Sequence, residues 1–153
     1  MFFSATLLPM SYYKKLLSVQ EDDYGIYVRS PFSAQKRCIL LGTDVSSRYT
    51  RRNYEEYKKI ASYIAHMAWQ KKGNYMVFFP SYKLLEEVRN VYQEEFSVPW
   101  VRCIAQSSSM TEREREEFLE EFRQGEASLL GFCVMGGIFS EGIDLIGERL
   151  IGV

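Results

Sequence analysis

Between residues 74 and 134 the apolar residues change period several times, and the alternation leaves few folds open. Tyr75-Met76-Val77-Phe78-Phe79 is a continuous apolar run of the kind found in strands buried on both faces, after which Leu84, Leu85, Val88, Val91 and Tyr92 recur at helical spacing. The pattern then repeats. Trp100-Val101-Arg102-Cys103-Ile104-Ala105 reads as a strand, and Thr111 to Phe122 as a helix with the apolar stripe Phe118, Leu119 and Phe122. Thr111 with Glu114 fits a capping box, as does Ser109 with Glu112, and Gly125 is placed to end the helix. Ser128 to Met135 forms the next apolar strand, and Arg149 to Val153 begins another after a glycine-rich turn. Strands separated by helices of about 10–15 residues need crossover connections, which predicts a three-layer α/β domain with a mostly parallel sheet.

Upstream, Tyr54, Tyr57, Ala61, Ile64 and Ala68 step by three and four, so Asn53 to Lys72 is expected as a long amphipathic helix. It contains the lone His66, which has no Cys, Asp or second His at ligand spacing and is given no chemistry. Tyr24 to Arg52 carries two short β-like runs, Ile26-Tyr27-Val28 and Cys38-Ile39-Leu40-Leu41, around the turn-like Ser30-Pro31-Phe32-Ser33, which suggests a hairpin. No repeat, low-complexity tract or linker divides the chain, so residues 1–153 are read as one domain. Both ends are apolar, in Met1-Phe2-Phe3 and Leu150-Ile151-Gly152-Val153. Such ends suit a fragment of a longer polypeptide, or else a small protein whose terminal strands are central.

Composition narrows the function. Nineteen Lys and Arg against twenty Asp and Glu leave a net charge of −1, so no global positive field draws the chain to nucleic acid or an anionic membrane. Leu129 to Phe139, the longest nearly apolar run, has 11 residues and falls short of the roughly 20 that span a bilayer. Met1 to Met10 lacks a basic flank and is broken by Pro9, unlike a signal peptide. Three dispersed cysteines, Cys38, Cys103 and Cys133, suit reduced, buried thiols in a cytosolic protein, and no Cys/His cluster suggests a metal.

Four polar, small-residue turns follow strand-like runs: Ser4-Ala5-Thr6, Pro80-Ser81-Tyr82, Gln106-Ser107-Ser108-Ser109, and Gly136-Gly137-Ile138-Phe139-Ser140-Glu141-Gly142-Ile143-Asp144. In a parallel sheet they would gather along the carboxyl edge, where ligands bind. The last is the densest. Its glycines permit close approach to a phosphate, Ser140 offers a hydroxyl, and Glu141 and Asp144 suit a sugar hydroxyl or a magnesium-bound water, although a purely structural turn fits too. Ser81 fits an N-cap, or a phosphate contact at a helix start with Tyr82 stacked on a base. The alternating run Glu112-Arg113-Glu114-Arg115-Glu116-Glu117 reads as a solvated helix face. Lys14-Lys15, Arg51-Arg52 and Lys71-Lys72 are too scattered for a basic patch.

Three of these strings resemble known motifs. Phe2-Phe3-Ser4-Ala5-Thr6-Leu7, Met76-Val77-Phe78-Phe79-Pro80-Ser81-Tyr82 and Gly136 to Asp144 are similar, in order and spacing, to motifs III, IV and V of the DinG/XPD-like helicases of superfamily 2. The resemblance spans nearly the whole chain and implies the second RecA-like, P-loop NTPase-type motor domain of an ATP-dependent DNA helicase, of the bacterial, cytoplasmic, DNA-repair or replication kind with 5′ to 3′ polarity. It implies ATP and magnesium in the parent, an iron–sulfur cluster outside this segment, the first motor domain in cis and single-stranded DNA as partners, and no membrane. Ser4, Ala5 and Thr6 would then couple hydrolysis to DNA movement, and Ser81 and Tyr82 would touch DNA. Gly137, Ser140, Glu141, Gly142 and Asp144 would face the nucleotide and the domain interface.

The departures from the family pattern set limits. The chain has no GxxxxGK[ST] loop for β and γ phosphates, no DEAH-like acidic pair for magnesium, and ends before motif VI. Alone it is expected neither to hydrolyse ATP nor to unwind DNA, and to bind DNA weakly and salt-sensitively. The competing classes are a self-sufficient nucleotide-binding enzyme centred on Gly136 to Asp144, which would need a phosphate loop, and a silent α/β interaction module.

Overall fold

The computed structural model describes residues 7–153 apart from 18, 19, 21, 30–32, 124, 126 and 141, together with the backbone but not the side chain of Ala34. Met1-Phe2-Phe3, Ser4, Ala5, Thr6, Glu141 and the Ser30-Pro31-Phe32 turn therefore lie outside the described residues. The chain forms two units, Met1–Leu41 and Gly42–Val153.

In the first unit the described structure is one helix, α1 (Met10–Leu17), and a single 3-10 turn, Ala34–Lys36. The hairpin expected from Tyr24 to Arg52 does not form among the described residues. Ile26, Tyr27, Val28, Ile39, Leu40 and Leu41 are all exposed and join no strand. β-branched and aromatic content marks residues suited to a sheet, but a strand also needs an apolar face to cover, which these lack. Cys38, read as a buried thiol, is exposed as well, whereas Cys133 is buried, and all three cysteines are free.

The second unit follows the periodicity closely. Helix α2 (Tyr54–Gln70) starts at Asn53, whose side chain accepts from the Glu56 N–H at 2.9 Å. Strand β1 (Asn74–Phe79) leads into α3 (Tyr82–Glu95), then β2 (Val101–Ala105), α4 (Glu112–Glu120) and β3 (Ser128–Val134). Of the two capping boxes the sequence offered, Thr111 with Glu114 forms, with the Glu114 N–H donating to Thr111 Oγ1 at 3.3 Å and the Thr111 N–H to Glu114 Oε2 at 2.7 Å. The helix ends at Glu120, short of Gly125, because its last turn tightens: the Phe122 N–H donates to Leu119 O at 3.1 Å.

All three strands are parallel, in the order β1-β3-β2, with Phe79 opposite Val134 and Ala105 opposite Phe132. The expected strand Arg149 to Val153 is reduced to one parallel bridge of Gly152 to Tyr75 beside β1, after a 3-10 turn at Gly147–Arg149. Alternation along the strands divides the core into two clusters. Tyr75, Phe79, Val101, Leu130, Phe132 and Val134 face α2 and α3, while Met76, Leu129, Cys133 and Phe139 pack with Phe118 and Phe122 at α4. Helices thus cover both faces of the sheet, giving the expected three layers.

Candidate functional site

Because every strand of the sheet runs the same way, the turns after Phe79, Ala105 and Val134 emerge at one edge. Three of the four polar turns named from the sequence are therefore neighbours. The fourth, Ser4-Ala5-Thr6, lies outside the described residues.

Ser81 caps α3. Its Oγ accepts from the Leu84 N–H at 3.4 Å, and the residue is half-buried. Tyr82 opens the helix, with its ring half-buried at the rim and its hydroxyl donating to Ser107 O at 3.4 Å. In the turn after β2, the Ser109 N–H donates to Ser107 Oγ at 3.3 Å, and the two serine hydroxyls lie 3.2 Å apart.

The glycine-rich turn is ordered from two sides. Gly136 has φ +71°, where a side chain is strained, and the Gly137 N–H donates back to Val134 O at 3.1 Å. The Ser140 N–H and hydroxyl both donate to Gly137 O, at 3.1 and 2.7 Å. Beneath, Phe139 is buried and stacks on Phe118 with ring centroids 4.4 Å apart. Gly142 and Asp144 are exposed beyond it, while Ile143 and Leu145 turn back to the core cluster at α4. Glu141 is outside the described residues. The arrangement leaves an exposed carboxylate on a tightly folded backbone turn at the sheet edge, with the hydroxyl of Ser140 committed to the turn itself.

Gln106, named from the sequence only as the first residue of its turn, is held in a way its polarity does not signal. Gln106 is only 5% exposed, and its side-chain oxygen accepts from the Val134 N–H at 3.0 Å while its nitrogen donates to the Tyr82 hydroxyl at 2.9 Å. A Cβ placed on Gly137 would lie 2.9 Å from that nitrogen, so the turn approaches the amide because position 137 carries no side chain. The sequence signal was faint: a glutamine directly after a strand reads as a solvated turn residue, and nothing in spacing tells that its amide folds inward. Stranding the Val134 N–H in this buried place would cost about 1–3 kcal/mol.

A residue not named from the sequence is Glu56. It reads as a solvated acid of the first helical turn, yet it is 5% exposed, accepts from the Ser46 N–H and pairs with Arg51 at 2.9 Å. It fixes the segment that enters α2, away from the turns. His66, given no chemistry, is exposed, with Nδ1 2.7 Å from Ser62 O. Among the described residues no three His, Cys, Asp or Glu side chains cluster as metal ligands. No helix among those residues is long and apolar enough to cross a membrane.

Comparison with known proteins agrees with this geometry. The family model for the helicase C-terminal domain matches residues 64–153. The ATP-dependent DNA helicase XPD of Sulfolobus acidocaldarius is 30% identical over 89 residues, covering 56% of this chain and 16% of that protein. A probable ATP-dependent helicase of Methanocaldococcus jannaschii is 26% identical over 132 residues, covering 84% and 19%. The chain spans less than a fifth of the length of these relatives. Among solved structures, an XPD helicase superposes with a TM-score of 0.54 at 24% identity, over 73% of this chain and 19% of its own. An XPD structure in the apo form gives 0.51 at 24% identity, over 72% and 22%. These likenesses bear on the fold, that of a RecA-like helicase lobe. A match running over residues 64–153 of a 153-residue chain decides the family: this protein belongs to the helicase C-terminal domain family and is XPD/DinG-like.

Proposed function

We propose that the chain, over residues 1–153, acts as the second motor domain of an ATP-dependent DNA helicase that moves along single-stranded DNA. The observation that carries this is the convergence of three polar turns on one edge of a parallel sheet, where a nucleotide and a DNA strand can both be reached from one lobe.

Ser81 and Tyr82 contact the DNA strand, the serine through the free amides of the helix it caps and the tyrosine through its ring face. Gly137, Ser140, Glu141, Gly142 and Asp144 face the nucleotide across the gap between lobes. Ser4, Ala5 and Thr6 couple the two events. ATP brings its own phosphate oxygens to magnesium, and the first motor domain, in cis, supplies the phosphate loop and acidic pair that this chain lacks. An iron–sulfur cluster, a role in repair or replication and a bacterial cytoplasmic setting rest on the motif resemblance alone. In this reading nucleotide closes the lobes, hydrolysis releases them, and the edge carrying Ser81 advances relative to a DNA contact on the partner lobe.

The test is ATPase activity stimulated by single-stranded DNA in a protein carrying both lobes. Wild type turns over, this chain alone is silent, and Asp144→Ala lowers the stimulated rate by about 100-fold or more, as loss of one preorganised electrostatic contact does. An Asp144→Ala protein as active as wild type would remove Asp144 from the site.

A further inference from the structure

We infer that Gln106 is a positioning residue that links the nucleotide-facing turn to the DNA-facing turn within this lobe, an inference that rests on the function proposed above. Parallel pairing of Ala105 with Phe132 is continued by the Gln106 N–H, which donates to Phe132 O at 2.8 Å. The next rung of such a ladder would carry the Val134 N–H to the main-chain carbonyl of Gln106. That N–H goes instead to the Gln106 side-chain oxygen, at 3.0 Å. The main chain is thereby released to form the Ser107–Ser109 turn, while the amide stays buried as a substitute rung.

The other end of the amide fixes direction. The Val134 N–H can only donate, so the side-chain oxygen faces it and the NH2 group faces Tyr82. Tyr82 Oη accepts from that NH2 at 2.9 Å and passes its own proton on to Ser107 O at 3.4 Å. Above the amide sits Gly137, with room for no more than a hydrogen before meeting Gln106 Nε2. A single rigid carboxamide therefore touches the end of β3, the glycine-rich turn and the first residue of α3. Any shift of Gly137 against a nucleotide presses on the amide, which is held by the Val134 N–H at one end and by the Tyr82 hydroxyl at the other. The bond from the Val134 N–H is buried and the one to Tyr82 half-buried, so a displacement at Gly137 is carried along the amide to Tyr82.

The experiment measures the affinity of the two-lobed protein for labelled oligo(dT) by fluorescence anisotropy, with and without a non-hydrolysable ATP analogue. In wild type the analogue changes that affinity by about 10-fold, within the usual span of coupling between two sites. Gln106→Leu, which keeps the bulk and removes both hydrogen bonds, brings the factor to within about twofold of one, while the affinity for the analogue stays within about threefold of wild type. Tyr82→Phe, which removes only the hydroxyl, also brings the factor near one, and it decides the matter if Gln106→Leu fails to fold. Variants that fold and retain the wild-type factor overturn the inference alone. A wild-type protein whose DNA affinity ignores the nucleotide overturns it together with the function beneath it.

Discussion

Cys133 sits near the C-terminal end of β3 in the core cluster of Phe118 and Phe122, and burial pushes its thiol from an ordinary 9.0 up to about 12. The Tyr92 hydroxyl, on the buried side of α3 and without a hydrogen-bond partner, is likewise pushed up to about 12. Both groups must stay neutral in the fold, whereas the unfolded chain releases their protons from about pH 9 upward. Stability is thus fully present below pH 9 and is lost as pH climbs towards about 12. In urea unfolding of this chain followed by circular dichroism, the midpoint should fall steeply between about pH 9 and 11. Cys133→Ala should flatten that fall while lowering the midpoint at neutral pH. Apolar spacing foretold Cys133 and Tyr92 as core residues. It did not foretell Gln106 or Glu56, since the burial of each depends on hydrogen-bond partners 28 and 10 residues away, the Val134 and Ser46 N–H groups, and no local period encodes a partner.

The helices show how far local chemistry reaches. α2 and α3 each carry a cap that the sequence supplies one residue ahead of the first turn; α3 buries the stripe that its spacing marks, whereas α2 buries Ala61, Ile64 and Ala68 but leaves Tyr57 half-buried and Tyr54 exposed. α4 is different: only nine residues long, it buries Phe118, packs the half-buried Leu119 against the same cluster and exposes most of the rest, with Arg113 and Glu117 paired at 2.8 Å on its outer face. Pairs so exposed add little, which leaves the capping box as the main local support. Thr111→Ala should therefore destabilise the chain by about 1 kcal/mol, and Thr111→Ser by far less, as read from the urea midpoint. The sequence could not choose between Thr111 and Ser109 as cap because both carry a hydroxyl with Glu three residues on. The structure resolves the tie through Met110, which packs with the core cluster beside Phe118 as an apolar residue preceding the cap.

Taken whole, the second unit is where sequence and fold agree, and the agreement has one source. A parallel sheet covered on both faces leaves its strands largely apolar and each helix apolar on one side, so period alone reports its layers. The first unit gives no such report, because its β-like runs are exposed and have nothing to alternate against. The gathering of turns at one edge was legible for the same reason as the sheet, since it follows from strand direction and from no single motif. How the edge is held together was not legible. The Gly136 to Asp144 turn hangs on the core by Phe139, which stacks on Phe118 of α4. Phe118→Leu should cost about 1 kcal/mol of ring stacking, a loss most molecules survive folded, yet DNA-stimulated ATP turnover per folded molecule of the two-lobed protein should drop by more than the unfolded fraction explains.

The floor under the turn thus belongs to α4, a helix that is not itself one of the turns at the sheet edge. In a screen for inactive variants, damage to that helix would be scored as damage to nucleotide handling, and the two would be told apart only by asking where the phenylalanine rings went.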